Sequence, residues 1–267
     1  MALERVAQDG LVLLGCGKMG TALLMGWLKA GVPAGSVWVI EPNPSDWLRA
    51  SGVHLNVGVP AAPAVALLAV KPQMMGAALP ALQALGNGTT LFISIAAGTT
   101  IAAFEVALGD RTPIVRTMPN TPAMVNRGIT ALCRNAHVSD GDMALAVALM
   151  AAVGETVILE GEHQIDAVTA VSGSGPAYVF HLIEALAAAG EAEGLSPEVA
   201  MQLARATVCG SGELAHRSAD SAAQLRVNVT SPGGTTAAAL AVLMPELPGL
   251  MARAVKAAAD RGRELGK

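Results

Sequence analysis

Gly15-Cys16-Gly17-Lys18-Met19-Gly20 follows the apolar run Leu11 to Leu14 directly and opens a stretch with helix-forming character. In that setting the three glycines serve different ends. The first permits a tight turn, the second lets a pyrophosphate approach the backbone, and the third lets the helix pack closely. The helix start adds N–H donors for phosphate oxygens, so Gly15 to Gly20 is a candidate dinucleotide cradle. Glu41 ends the next apolar run, 21 residues past Gly20, where a carboxylate can accept hydrogen bonds from the adenosine ribose hydroxyls. A carboxylate there repels a 2′-phosphate, which leans the cofactor choice toward NADH, with Asn43 and Arg49 close enough in sequence to soften it.

Three further segments fall at strand ends. Ala69-Val70-Lys71-Pro72-Gln73 and Ser94-Ile95-Ala96-Ala97-Gly98 close two more apolar runs, and Arg116-Thr117-Met118-Pro119-Asn120-Thr121-Pro122 closes a third. Ligands of open α/β sheets lie beyond the carboxyl ends of the strands, so all three are placed to line the cofactor, and the small Ala96 and Ala97 leave room for a flat ring. From position alone Lys71 reads equally as a solvated lysine, and the two prolines of the third segment equally as a brace. Ser231-Pro232-Gly233-Gly234-Thr235-Thr236 opens a helix later in the chain. With Ser231 as cap and Pro232 in the first turn, the N–H groups of Gly233, Gly234, Thr235 and Thr236 would face outward at a positive dipole end, a receptor for carboxylate or phosphate. The joint Val171 to Tyr178 is a second glycine- and serine-rich helix entry that reads equally as a packing elbow. His54, His137, His163, His181 and His216 show neither metal-ligand spacing nor a nucleophile–base pattern, which favours redox chemistry over hydrolysis.

The elements that must position these residues follow from pattern. Apolar runs at Leu11 to Leu14, Val37 to Ile40, Val65 to Val70, Thr90 to Ile95, Pro113 to Met118, Ile129 to Cys133 and Thr156 to Leu159 alternate with helical stretches, as in a doubly wound α/β sheet. Lys18 to Ala30 is expected to close at Gly31, and a helix capped by Ser139 at Gly154. Past residue 163 the strand signals stop: helices are expected over Gly175 to Glu193, from Ser196-Pro197-Glu198 to about His216, and after Ser231 and Pro245. The expected division is 1–162, Rossmann-type, and 163–267, all-helical.

With 17 basic against 21 acidic side chains the net charge is −4, so no cationic excess is available for nucleic acid. Hydrophobic residues at 52% against 14% charged exclude a disordered chain, and alanine-rich helices this apolar are expected to intertwine with another copy. No uninterrupted apolar run reaches the roughly 20 residues of a membrane span. Glu4 and Asp9 near the start give no export pattern, and Cys16, Cys133 and Cys209 suit neither a disulfide framework nor a zinc cluster, so the expectation is cytoplasmic with no metal.

Taken in order, Leu13 to Gly20, Ala69 to Gln73, Met118 to Pro122, Ser172 to Tyr178 and Ser231 to Thr236 resemble the pyrroline-5-carboxylate reductase family over nearly the whole chain. That resemblance implies NADPH- or NADH-dependent reduction of 1-pyrroline-5-carboxylate to L-proline, a Rossmann domain followed by a helical dimerisation domain, and a homodimer that can assemble into a decamer. It implies that Ser231, Gly234 and Thr235 hold the substrate carboxylate and that Thr236 reaches the ring nitrogen, with Thr236 and Lys71 the catalytic candidates. It also implies that Asn56 lies at the cofactor, and that Ala69, Val70, Lys71, Pro72, Ala96 and Ala97 line its nicotinamide side. Many members favour NADPH and lack an acid where Glu41 stands. Where some members carry a glutamate upstream of the glycine loop, this chain reads Ser218-Ala219-Asp220-Ser221 and offers Asp220. The other readings of such a plan are a 3-hydroxyacid-type dehydrogenase, whose helical-domain lysine has no counterpart between Gln164 and Met251, and a cofactor-bound regulator without turnover.

Overall fold

Runs such as Leu11–Leu14 (β1) and Val65–Leu68 (β4) are apolar at every position and fully buried, which requires cover on both faces of the sheet. The computed structural model, which describes residues 2–266, provides it. Eight strands form one sheet: β1, Val37–Ile40 (β2), His54–Leu55 (β3), β4, Leu91–Ser94 (β5), Ile114–Met118 (β6), Gly128–Arg134 (β7) and Gly154–Ile158 (β8). Their order is β3-β2-β1-β4-β5-β6-β7-β8, parallel throughout except between β6 and β7. The chain leaves β1 toward one edge and returns to its other side as β4, so the order reverses between these two strands.

Alternate residues of β1 feed opposite cores. Leu11 and Leu13 pack with Leu23, Leu24 and Trp27 of Lys18–Lys29 (α2) and with Leu145 and Leu149 of Asp140–Ala151 (α6). Val12 and Leu14 face Met75 of Pro72–Ala78 (α4), Phe104 of Ile101–Leu108 (α5) and Ile165 of Ile165–Val168 (α7). Trp27 Nε1 donates to the Leu149 carbonyl at 2.8 Å and ties α2 to α6. Ala2–Asp9 (α1) and Asp46–Ala50 (α3) complete the helices of this part. The first compact unit runs through Gly173 and takes in the chain from Ala258 onward; the second is Ser174–Ala257. The division placed on the sequence at 162/163 falls within the first unit.

The second unit contains Gly175–Ala192 (α8), Pro197–Arg217 (α9), Ala222–Asn228 (α10) and most of Thr235–Leu265 (α11). Ser196 Oγ accepts from Val199 N at 3.4 Å and starts α9 as its Ser-Pro pattern predicts, while Gly194, at φ +97°, ends the segment after α8. Ala187, Ala200 and Ala204 are buried where α8 meets α9, whereas Leu243, Met244, Leu247 and Leu250 on α11 stay about half exposed.

Several expectations change. The two helices expected after Ser231 and Pro245 are one, α11, which continues through Pro245 and Pro248. Each proline deletes a single N–H bond, and the neighbouring bonds carry the helix on. Ser231 is not its cap: the Gly234 N–H donates to the Ser231 carbonyl at 3.1 Å, Gly233 takes φ +69°, and the helix begins only at Thr235. Gly154 does not close α6, which ends at Ala151; it opens β8, where a side chain would run into the Gly128 carbonyl. The joint at Val171 holds a π-helical turn over Thr169–Gly173. By length and composition α11 is apolar enough to cross a membrane, a feature passed over by a search for uninterrupted runs because its prolines and charges interrupt it.

Candidate functional site

The glycine loop lies where the strand order reverses. Gly15 turns out of β1 at φ +89°, its N–H donating to Ile40 O at 2.8 Å, and a Cβ there would meet Ala69 O at 2.9 Å and Val70 Cγ1 at 2.8 Å. A Cβ on Gly20 would lie 2.7 Å from Gly15 O, so the third glycine is what lets α2 pack against the turn. Gly17 differs: a Cβ there meets nothing within 4 Å, and as the cap of α2 it makes no side-chain hydrogen bond. The first-turn N–H groups of α2 therefore open onto a crevice with a bare backbone beside them, and these residues fit a dinucleotide pyrophosphate. Cys16 is buried, which pushes its thiol up; Thr21 opposes this through a hydrogen bond and Glu41 adds to it, so Cys16 stays a thiol. Lys18 is exposed and Met19 half-buried on the same loop.

Glu41 and Asn56 form a unit with that loop. Glu41 Oε2 accepts from the Cys16 N–H at 2.8 Å and Oε1 from the Asn43 N–H at 2.9 Å. Asn56, in the left-handed region at φ 55°, clasps the Glu41 backbone: its Oδ1 accepts from Glu41 N and its Nδ2 donates to Glu41 O, both at 2.9 Å. The ribose role expected of Glu41 is thus joined by a structural one, with acceptor capacity left on both oxygens. Asn56 spends its side chain on placing Glu41.

Ala69 N donates to Leu14 O at 2.7 Å and Ile95 N to Leu68 O at 3.1 Å, which sets the β4 and β5 ends side by side with the glycine loop. Ala69 and Val70 are half-buried, Lys71 and Pro72 exposed where Pro72 starts α4, Ala96 buried and Ala97 exposed. All the candidate cofactor residues therefore gather at one edge of the sheet. The candidate substrate residues, Ser231, Gly234, Thr235 and Thr236, form a separate cluster within the second unit. Of the four N–H groups expected to face outward there, that of Gly234 is taken by Ser231, while those of Thr235 and Thr236 fall in the first turn of α11, where helices leave donors without intrahelical partners. Asp220 accepts from Asn228 Nδ2 at 3.3 Å, across the start and end of α10.

Sequence reasoning missed two polar ties near the crevice. Arg116, 4% exposed on β6, is paired through Nη1 with Glu162 Oε1 at 2.6 Å, and the same oxygen accepts from the Ile101 N–H at 2.8 Å. Burial pushes the facing Cys133 thiol up to about 11, with Glu162 adding to the rise and Arg116 opposing it. Asn120 Nδ2 donates to Ser172 Oγ at 3.1 Å and its Oδ1 accepts from Ile129 N at 3.0 Å. An arginine inside the apolar run Pro113 to Met118 was the available signal that a buried partner must exist.

Comparison with known proteins gives the same picture. Residues 162–265 match the family model described as pyrroline-5-carboxylate reductase dimerisation, and residues 11–98 that described as NADP oxidoreductase coenzyme F420-dependent. A pyrroline-5-carboxylate reductase of Pseudomonas aeruginosa is 40% identical over 264 residues, covering 96% of this chain and 97% of that protein. The solved pyrroline-5-carboxylate reductase of Coxiella burnetii superposes with TM-score 0.90 at 36% identity, covering 97% of this chain and 99% of the other. The Plasmodium falciparum pyrroline carboxylate reductase, solved with NADP bound, gives TM-score 0.82 at 31% identity over 97% and 98% of the two chains.

Proposed function

The chain belongs to the pyrroline-5-carboxylate reductase family, and from that premise we propose that it reduces 1-pyrroline-5-carboxylate to L-proline with a reduced nicotinamide dinucleotide. The observation that carries this reading is the near full-length similarity to reductases of that name, and the glycine loop at the reversal of strand order supports it. When bound, the dinucleotide supplies a hydride for the ring C=N carbon. The ring C=N carbon accepts the hydride as its nitrogen takes a proton, so the protein's contribution is to hold and orient the ring and to deliver that one proton.

Gly15 to Gly20 cradle the pyrophosphate at the α2 N-terminus, and Ala69 to Pro72 with Ala96 and Ala97 flank the nicotinamide side. Glu41 accepts from the adenosine ribose and disfavours a 2′-phosphate, which makes NADH the preferred donor; Asn56 holds Glu41 in place. Lys71, exposed at the β4 end, brings a cation to the lip of the crevice and holds an anionic group there. In the second unit, the Ser231 hydroxyl and the Thr235 N–H bind the substrate carboxylate, the bare Gly234 lets it approach, and the Thr236 hydroxyl meets the ring nitrogen and relays it a proton that water replaces. The dimerisation model over 162–265 supports a homodimer and a domain division near residue 163; the reading adds a decamer built of such dimers and a cytoplasmic setting.

Isotope tracing tests the hydride step. With dinucleotide deuterated at the transferring carbon, the account expects L-proline one mass unit heavier, with the label at ring C5. Unlabelled proline, or no proline, would end this reading.

A further inference from the structure

Resting on that reading, we propose that Glu162 is a positioning residue for the cofactor, its one carboxylate fixing the Ile95–Thr100 loop against β6. The loop leaves β5 at the edge of the crevice. Its upstream end is held by Ile95 N to Leu68 O at 3.1 Å and by Ala96 N to Ser94 Oγ at 3.2 Å. Its downstream end is held where the Ile101 N–H meets Glu162 Oε1 at 2.8 Å, one residue past Thr100, whose own hydroxyl accepts from Ala103 N at 3.2 Å. Between these anchors Ala97 is exposed and Gly98 sits at φ +75°. A short loop clamped at both ends keeps one shape, and with one clamp removed it gains conformations that a flat ring must then select against.

The anchor is fixed in turn by Arg116, whose guanidinium is almost wholly buried. Its Nε finds no partner among the described residues, so the side-chain bond that locates this charge is the one from Nη1 to Glu162. Removing the carboxylate leaves a buried cation unpaired and the Ile101 N–H without its acceptor, both of which favour movement of β6 and the loop relative to each other. Glu162 touches neither reacting group; it acts through the loop, and its loss should appear in cofactor affinity before it appears in the chemical step.

The test is dinucleotide binding to wild type, Glu162→Ala and Glu162→Gln, followed by energy transfer from tryptophan to the reduced nicotinamide, with Tm of each variant and KM of each substrate in parallel. Glu162→Ala is expected to weaken cofactor binding about tenfold while KM for the imine at saturating cofactor stays unchanged. Glu162→Gln keeps an acceptor for Ile101 and is expected to recover most of that loss although its Tm stays low. Equal affinity in all three folded proteins would overturn the proposal, as would a loss in Glu162→Gln as large as in Glu162→Ala. If Glu162→Ala does not fold, Glu162→Asp keeps the charge but shortens the reach, and an unchanged dissociation constant there overturns it equally. A wild type that binds no dinucleotide would remove the underlying reading and this proposal with it.

Discussion

Cofactor choice turns on Glu41, because its carboxylate both braces the glycine loop through the Cys16 N–H and places a negative charge beside the adenosine ribose. Glu41→Ser removes the charge and frees two N–H groups, and the ratio of kcat/KM for NADPH over NADH is expected to rise about tenfold; steady-state rates with both donors check it. Thr236→Ala is expected to lower kcat about ten- to a hundredfold with KM for the dinucleotide unchanged, and Thr236→Ser to restore most of it; unaltered turnover would show that the hydroxyl makes no contact with the ring nitrogen. The candidacy of Glu41 is legible in the sequence because glycine spacing and a strand-end acid carry their chemistry in their types, whereas that of Thr236 comes from the family resemblance. The clasp of Asn56 on Glu41 and the pairing of Arg116 with Glu162 were not, since each joins residues that only the sheet brings together, 15 and 46 positions apart.

Among the elements, starts were more legible than ends. The Ser139 cap accepts from Asp142 N at 3.1 Å as its spacing predicts, yet α6 stops three residues short of Gly154. The prolines of α11 were read as an interruption, whereas the helix continues through them, each removing one N–H donor while the bonds on either side are kept. The unforeseen α1 is held through Asp142: Arg5 Nη1 donates to its Oδ1 at 2.6 Å and Ser139 Oγ to its Oδ2 at 2.6 Å. Partial burial raises the Asp142 carboxyl, but the bonds from Ser139 and Arg5 outweigh it and the net shift is downward. A lowered folded-state pKa means stability that is complete above the ordinary aspartate range and lost as pH falls through the folded value. Urea unfolding of Asp142→Asn is therefore expected to show a deficit of about 1 kcal/mol at pH 7 that shrinks progressively as pH falls below the ordinary aspartate range; a deficit independent of pH would mean the charge is irrelevant.

For the molecule as a whole, the second unit is the part that leaves a long apolar helix face exposed. Leu243, Leu247 and Leu250 recur at helical spacing on α11 and remain about half exposed, a stripe that needs another surface. Such a helix is long and apolar enough for a membrane span, but it lies within the region matching a dimerisation family, and cover by another copy is what the proposed homodimer would give its apolar stripe. Paired Leu243→Glu and Leu250→Glu substitutions are expected to yield monomers in sedimentation equilibrium and to lower Tm; a variant that stays dimeric would place the interface elsewhere. The low aromatic content and abundant alanine made this half readable as helices, which α8 to α11 are.

The central claim is tested most directly by mixing the purified protein with 1-pyrroline-5-carboxylate and following loss of reduced-nicotinamide absorbance with NADH and NADPH in parallel. The account predicts turnover with both, faster at low concentration with NADH, and stoichiometric L-proline. Binding of either dinucleotide without its oxidation would contradict it.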